Sequence, residues 1–176
     1  LEHDPAGLHL HDGLWAGFMA GGAGGGFGWW WDTWVMPRHL EWQLTGLARF
    51  TAGEDPRGSR TLPASLTDLP TGSFALARQT ANGRFLAWLG TPRTAQLRDL
   101  DNRAVLAGYG TADPDTANTG TLTLAGDFSG DWDLTFYDPY DGLPLAAQRL
   151  TGNAEGLAVP LPAWRLDLAI KGQRAT

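Results

Sequence analysis

The feature that most constrains the fold is a change of hydrophobic period near residue 73. After that point apolar side chains recur every second residue. Phe74 and Leu76 alternate with Ala75 and Ala77, and Leu122 with Leu124 and Trp132, Leu134 and Phe136 repeat the pattern. Leu166, Leu168 and Ile170 interleave with Arg165, Asp167 and Lys171. Successive strand residues point to opposite faces, so a period of two marks strands with one buried face. Turn signals separate these runs at Asn82-Gly83, Asp113-Pro114, Ser129-Gly130, Asp141-Gly142 and Gly152-Asn153. About eight short strands at such spacing predict an antiparallel β-sandwich.

The N-terminal part has another rhythm. Leu10, Leu14, Phe18 and Met19 form an i, i+4, i+8 stripe that predicts a helix over 8–21, stopped by Gly21-Gly22. The uncharged aromatic run at 25–31 reads as a strand buried on both faces. Pro37 then opens a second helix with Leu40, Leu44, Leu47 and Ala48 on one side, ending before Gly53. Helix, buried strand, helix is the repeating unit of α/β folds. Residues 54–59 and 63–72 are polar and punctuated by proline, as a surface-hugging linker is. The expected organisation is an α/β piece over 1–55, a linker over 56–72 and a β-sandwich over 73–176.

Composition removes several classes of function. Thirteen basic residues stand against 19 acidic, a net charge of −6, and no basic patch tracks a nucleic-acid backbone. Without cysteine there is neither a disulfide framework nor a thiolate metal site. Residues 14–31 are uncharged and long enough to span a bilayer, but seven of the 18 are glycine. Each costs roughly 1 kcal/mol against alanine in a helix, so a membrane span is not expected.

Chemistry concentrates in the run Gly21-Gly22-Ala23-Gly24-Gly25-Gly26-Phe27-Gly28-Trp29-Trp30-Trp31-Asp32-Thr33-Trp34. Dense glycines permit close approach, and dense tryptophans supply flat faces with one N–H each. Flat aromatic faces beside a carboxylate suit a sugar ring, apolar on its C–H faces and hydroxylated at its rim. Along a strand Trp29 and Trp31 share one side and Trp30 takes the other. Trp31 and Trp29 are the candidates for stacking on sugar, Trp30 for packing, and Asp32 and Trp34 for lining the adjoining loop. Asp32 serves equally as a helix cap. No Gly-Lys-Ser/Thr follows the glycines, so a phosphate cradle is not supported. On a helix His9 and His11 point apart and do not converge on a metal. Hydrogen bonding to backbone or a neighbouring loop is the expected role there. No cofactor or metal is implied.

Leu10-His11-Asp12-Gly13-Leu14-Trp15-Ala16, Gly21-Gly22-Ala23-Gly24 and Trp29-Trp30-Trp31-Asp32 resemble the last units of cellulase-like (β/α)8-barrel glycoside hydrolases, family 5-like members of clan A. Leu47-Ala48-Arg49-Phe50 fits the end of that family's eighth helix. Gly130-Asp131-Trp132 through Asp141-Gly142, and Leu161-Pro162-Ala163-Trp164 through Ala169, resemble the β-sandwich that follows such barrels. The resemblance implies a fold of last barrel strand and helix units plus an antiparallel sandwich. It implies the C-terminal portion of a retaining enzyme acting on β-linked polysaccharide or oligosaccharide, extracellular or at the cell surface. Such enzymes need two carboxylates about 5–5.5 Å apart. The resemblance places both upstream of this chain; within it Glu2 and Asp4 are the carboxylates near the seventh-strand region, and Glu2, which precedes a turn, is the nucleophile candidate. The remainder of the barrel would then be a partner, supplied upstream or by another chain.

A reading from another class is a non-catalytic carbohydrate-binding or cell-surface structural module on a glycosidase-like framework. Trp88, Trp132, Trp164, Tyr137 and Tyr140 are its candidate sandwich aromatics. The phase of Trp132 with Leu134 and Phe136 assigns that ring to the core, whereas Tyr137 and Tyr140 flank a turn and are expected at the surface.

Overall fold

Alternating side chains bury one row and leave the next outside, and the strand ladders they form among the described residues are antiparallel. The computed structural model describes residues 7–22, 30–91 and 117–176. The strands are β1 (Arg60–Leu62), β2 (Ala64–Thr67), β3 (Phe74–Gln79), β4 (Phe85–Gly90), β5 (Thr121–Ala125), β6 (Gly130–Tyr137), β7 (Pro144–Gly152), β8 (Gly156–Pro160) and β9 (Asp167–Arg174). They form a six-stranded sheet in the order β1-β3-β4-β9-β6-β7 and a three-stranded sheet in the order β2-β5-β8. Phe85, Leu89, Trp132, Leu134, Phe136, Leu168 and Ile170 of the larger sheet meet Leu122, Leu124, Leu157 and Val159 of the smaller in one buried cluster.

The outer face of the larger sheet is covered over part of its area. Helix α1 (Leu8–Met19), a π-helical turn (Trp31–Val35) and helix α2 (Gln43–Thr51) lie on it. Leu10, Leu14, Trp15, Phe18, Trp34, Leu47 and Phe50 form a second cluster there with Leu86, Trp88 and Ala169 of β4 and β9. This layer is pinned at two points. At the C-terminal end of α1 the Phe18 carbonyl accepts from Gly21 N–H at 3.2 Å and has a second lone pair to offer. Buried Arg78 on β3 donates to Phe18 O, to Pro56 O at 3.2 Å and to Ser59 Oγ, with its guanidinium 4.9 Å from the Phe18 ring centre. Near the start of α1, His11 meets Asp167 on β9, Nε2 to Oδ2 at 2.7 Å. Trp88 Nε1 donates to the same carboxylate oxygen at 2.9 Å, and His11 Nδ1 lies 3.1 Å from Gln43 Oε1 on α2. The Tyr140 ring stacks on the imidazole at 4.1 Å. The turn carrying Tyr140 packs so closely on α2 that a side chain at Gly46 would overlap the Pro139 carbonyl.

These observations overturn the expected fold class and the resemblance on which it rested. Among the described residues the structure is mainly antiparallel sheet, nine strands with three short helical segments, without the helix-strand alternation of a (β/α)8 barrel. The stripe at Leu10, Leu14 and Phe18 does form a helix, but that helix rests on an antiparallel sheet. Of the strand expected over 25–31, residues 25–29 lie outside the described residues, and Trp31 opens a π-helical turn. Local amphipathicity predicts a helix; which sheet it covers depends on contacts such as His11 to Asp167, 156 residues apart. Part of the segment read as a linker is strand, β1 and β2, one on each sheet. No helix among the described residues is long and apolar enough to cross a membrane.

Candidate functional site

Where the helical layer ends, the outer face of the larger sheet continues as a polar shelf. Side chains at alternate positions of β6 point outward, and these are Asp133, Thr135 and Tyr137. Register sets Thr135 opposite Lys171 and Asp133 opposite Gln173 on β9. Arg84 immediately precedes β4, whose first residue Phe85 pairs with Gly172. Helix α2 stops at Thr51, and Ala52 and Glu54 close the near side. Together these residues line a cleft of about 290 Å³.

Glu54 organises its inner end. The side chain is 1% exposed, and Oε1 accepts from Lys171 Nζ at 3.0 Å and from Arg84 Nη1 at 3.3 Å. Its second oxygen, Oε2, is buried and has no hydrogen-bond partner. The Lys171 ammonium also lies 5.2 Å from the Phe50 ring centre and 5.7 Å from that of Tyr137. Phe50 meets the Tyr137 ring edge-on at 5.4 Å, which fixes the aromatic wall of the cleft. At the outer end Arg149 of β7 grips Asp133 with two hydrogen bonds, 2.7 and 2.9 Å. Those bonds hold the Asp133 carboxyl below the usual carboxylate range. The cleft thus offers ammonium and guanidinium donors, a hydroxyl, an amide, carboxylate acceptors and one aromatic wall. That inventory suits hydrogen bonding to a polyhydroxylated ring better than burial of an apolar ligand.

The residues singled out from the sequence lie elsewhere. Trp31 opens the π-helical turn and is half-buried against the helical-layer cluster; Asp32 is exposed; Trp34 is buried there with an unpartnered indole N–H. None of the three lines the cleft. Trp29 and Glu2 lie outside the described residues. Trp30, expected to pack, is 50% exposed. Among the sandwich aromatics Trp88, Trp132, Trp164 and Tyr140 are buried, and Tyr137 alone reaches the cleft. Tyr140, expected at the surface, is held inside by stacking on His11. The expected backbone or loop bond of His11 is instead made to the side chains of Asp167 and Gln43. Among the described residues no group of three or more His, Asp or Glu side chains could hold a metal ion.

The cleft escaped sequence reading because its parts stand at 52–54, 84, 133–137 and 171–173. A signal was present in the outward phase of two strands, Asp133 with Thr135 and Lys171 with Gln173. No protein-family model matches the sequence, and no curated protein matches it, so the chemistry of this cleft carries the functional argument.

Proposed function

We propose that this chain is a non-catalytic carbohydrate-binding β-sandwich module whose cleft holds one sugar unit of a β-linked polysaccharide or oligosaccharide. The observation that carries the proposal is the shelf itself. Thr135, Gln173, Lys171 and Asp133 stand in two adjacent rows beside the Tyr137 ring, where the helical layer on the outer sheet face ends. A volume of about 290 Å³ lies at the lower end of the roughly 300–1,000 Å³ typical of small-molecule pockets, room for a single ring. Hydroxyl, amide and charged groups suit the sugar rim, and an aromatic wall suits its C–H face. The sheet holds the backbone of these groups on paired strands, so no backbone need be ordered on binding. Such a module retains carbohydrate rather than cleaving it, and an extracellular or cell-surface setting goes with that role.

The test is calorimetric titration of the chain with a panel of soluble β-linked oligosaccharides, repeated with Thr135→Val and Gln173→Leu. Each variant removes one hydrogen-bonding group from a half-exposed or exposed position. Saturable binding weakened by both, with the melting temperature unchanged, supports the proposal. Binding that neither variant alters places the sugar elsewhere and refutes it.

A further inference from the structure

We infer that the sugar held in this cleft is an acidic one, a uronic acid residue whose carboxylate sits at the Arg84–Lys171 end. The inference rests on the carbohydrate reading above and adds the charge of the ligand. The two ends of the cleft differ in charge. At the outer end, the two bonds from Arg149 balance the charge of Asp133, leaving Thr135 and Gln173 as neutral partners. At the inner end two cations face a single carboxylate, Glu54, and both bond to the same oxygen of it. One positive charge is left over. It stands in a chain whose net charge is −6, so it is a local feature and not the overall field.

Both cations also keep donors in reserve. An ammonium carries three N–H groups and a guanidinium five. Glu54 takes one from each. Arg84 is 42% and Lys171 19% exposed, so each head remains accessible from the cleft they line. Glu54 is 1% exposed, held down as a fixed counter-ion, and presents no open carboxylate face to repel an incoming anion. A planar guanidinium beside an ammonium matches a sugar carboxylate, since a guanidinium fork donates to both carboxylate oxygens. With the carboxylate there, the ring would extend along the shelf toward Thr135 and Gln173, whose hydroxyl and amide suit its hydroxyls.

The experiment titrates the full chain with oligosaccharides of glucuronic acid and with the matching neutral glucose oligosaccharides, at low and at raised salt. Sodium acetate and inorganic phosphate are titrated as free anions, and all titrations are repeated on Arg84→Gln. The expected result is binding of the uronic acid series about tenfold or more tighter than the neutral series, as a charge-assisted hydrogen bond provides. The preference shrinks at raised salt. Arg84→Gln loses most of it, its affinity for the uronic acid series falling to about that for the neutral series, and the neutral binding that remains shows that the variant is folded. Equal binding of acidic and neutral series overturns the inference and leaves the carbohydrate module standing. Acetate or phosphate bound as tightly as the uronic acid series shows an anion site that does not read the sugar, and overturns it too. If neither series binds, the carbohydrate reading fails and this inference falls with it.

Discussion

Replacing Asp167 by alanine should be among the most damaging single changes in the molecule. The carboxylate is buried and accepts from His11 Nε2 at 2.7 Å and Trp88 Nε1 at 2.9 Å, so it joins α1 to β9 and β4 at once. Without it the imidazole Nε2 and the Trp88 indole N–H both lose their partner in a buried place. Breaking a buried pair by removing one partner costs about 3–5 kcal/mol, because the other group is left uncompensated. In a chain of this length each kcal/mol shifts the midpoint by roughly 2–4 °C, so a fall of about 6–20 °C is expected. The assay is chemical and thermal denaturation of the native chain, Asp167→Ala, His11→Leu and the pair together. The two losses should not add. Once Asp167 is gone the imidazole no longer gains from it, and the double variant should recover part of the cost. The orphaned Trp88 N–H would still keep it about 1–3 kcal/mol below native. A loss under about 1 kcal/mol for Asp167→Ala, or strict additivity, would refute the view that this contact anchors the helical layer.

Three further outcomes follow from the same packing. Burial, opposed in part by the Tyr140 backbone N–H, pushes the Asp138 carboxyl up to about 6 from an ordinary 3.8. The folded form therefore holds its proton more tightly than the unfolded chain. That stability is fully present below about pH 4 and is lost as pH rises through about 6, so Asp138→Asn should leave the midpoint unchanged at pH 4 and raise it at pH 7. Gly46→Ala would improve helix propensity by about 1 kcal/mol, yet its new methyl meets the Pro139 carbonyl, so urea denaturation should show a net loss of about 1–3 kcal/mol. Trp30→Ser, at a half-exposed ring, should change stability by less than about 0.5 kcal/mol, whereas Trp34→Ala should cost about 3–5 kcal/mol; the reverse order would mean the facing of this segment is wrong.

What the sequence reveals and what it hides divide along contact distance. The alternation of Trp132, Leu134 and Phe136 is a local pattern, and those three side chains occupy the inter-sheet core. The helical stripe of Leu10, Leu14 and Phe18 is equally local and equally visible. Nothing local shows that α1 lies on β4 and β9, because the contacts that decide it join residues 11 and 167, and 18 and 78. The uncharged aromatic run at 25–31 reads as a buried strand, and the resemblance carried by Trp29-Trp30-Trp31-Asp32 makes it a barrel strand. In the structure Trp31 and Trp34 pack against the helical layer. Tyr140 shows the same limit: beside a turn it reads as exposed, but stacking on His11 buries it. For the cleft, the outward rows of β6 and β9 were readable one strand at a time. Their alignment depends on the pairing of Thr135 with Lys171 and Asp133 with Gln173, which only the register supplies.

The most direct test of the account is a two-dimensional amide NMR titration of the isotope-labelled chain with a soluble β-linked oligosaccharide that contains glucuronic acid. Saturable shifts confined to Thr135, Tyr137, Lys171, Gln173 and the backbone around Glu54 and Arg84 are expected, with the core strands β5 and β8 silent. Shifts centred on 30–36, with the outward rows of β6 and β9 unmoved, or no saturable shift at any site, would contradict it.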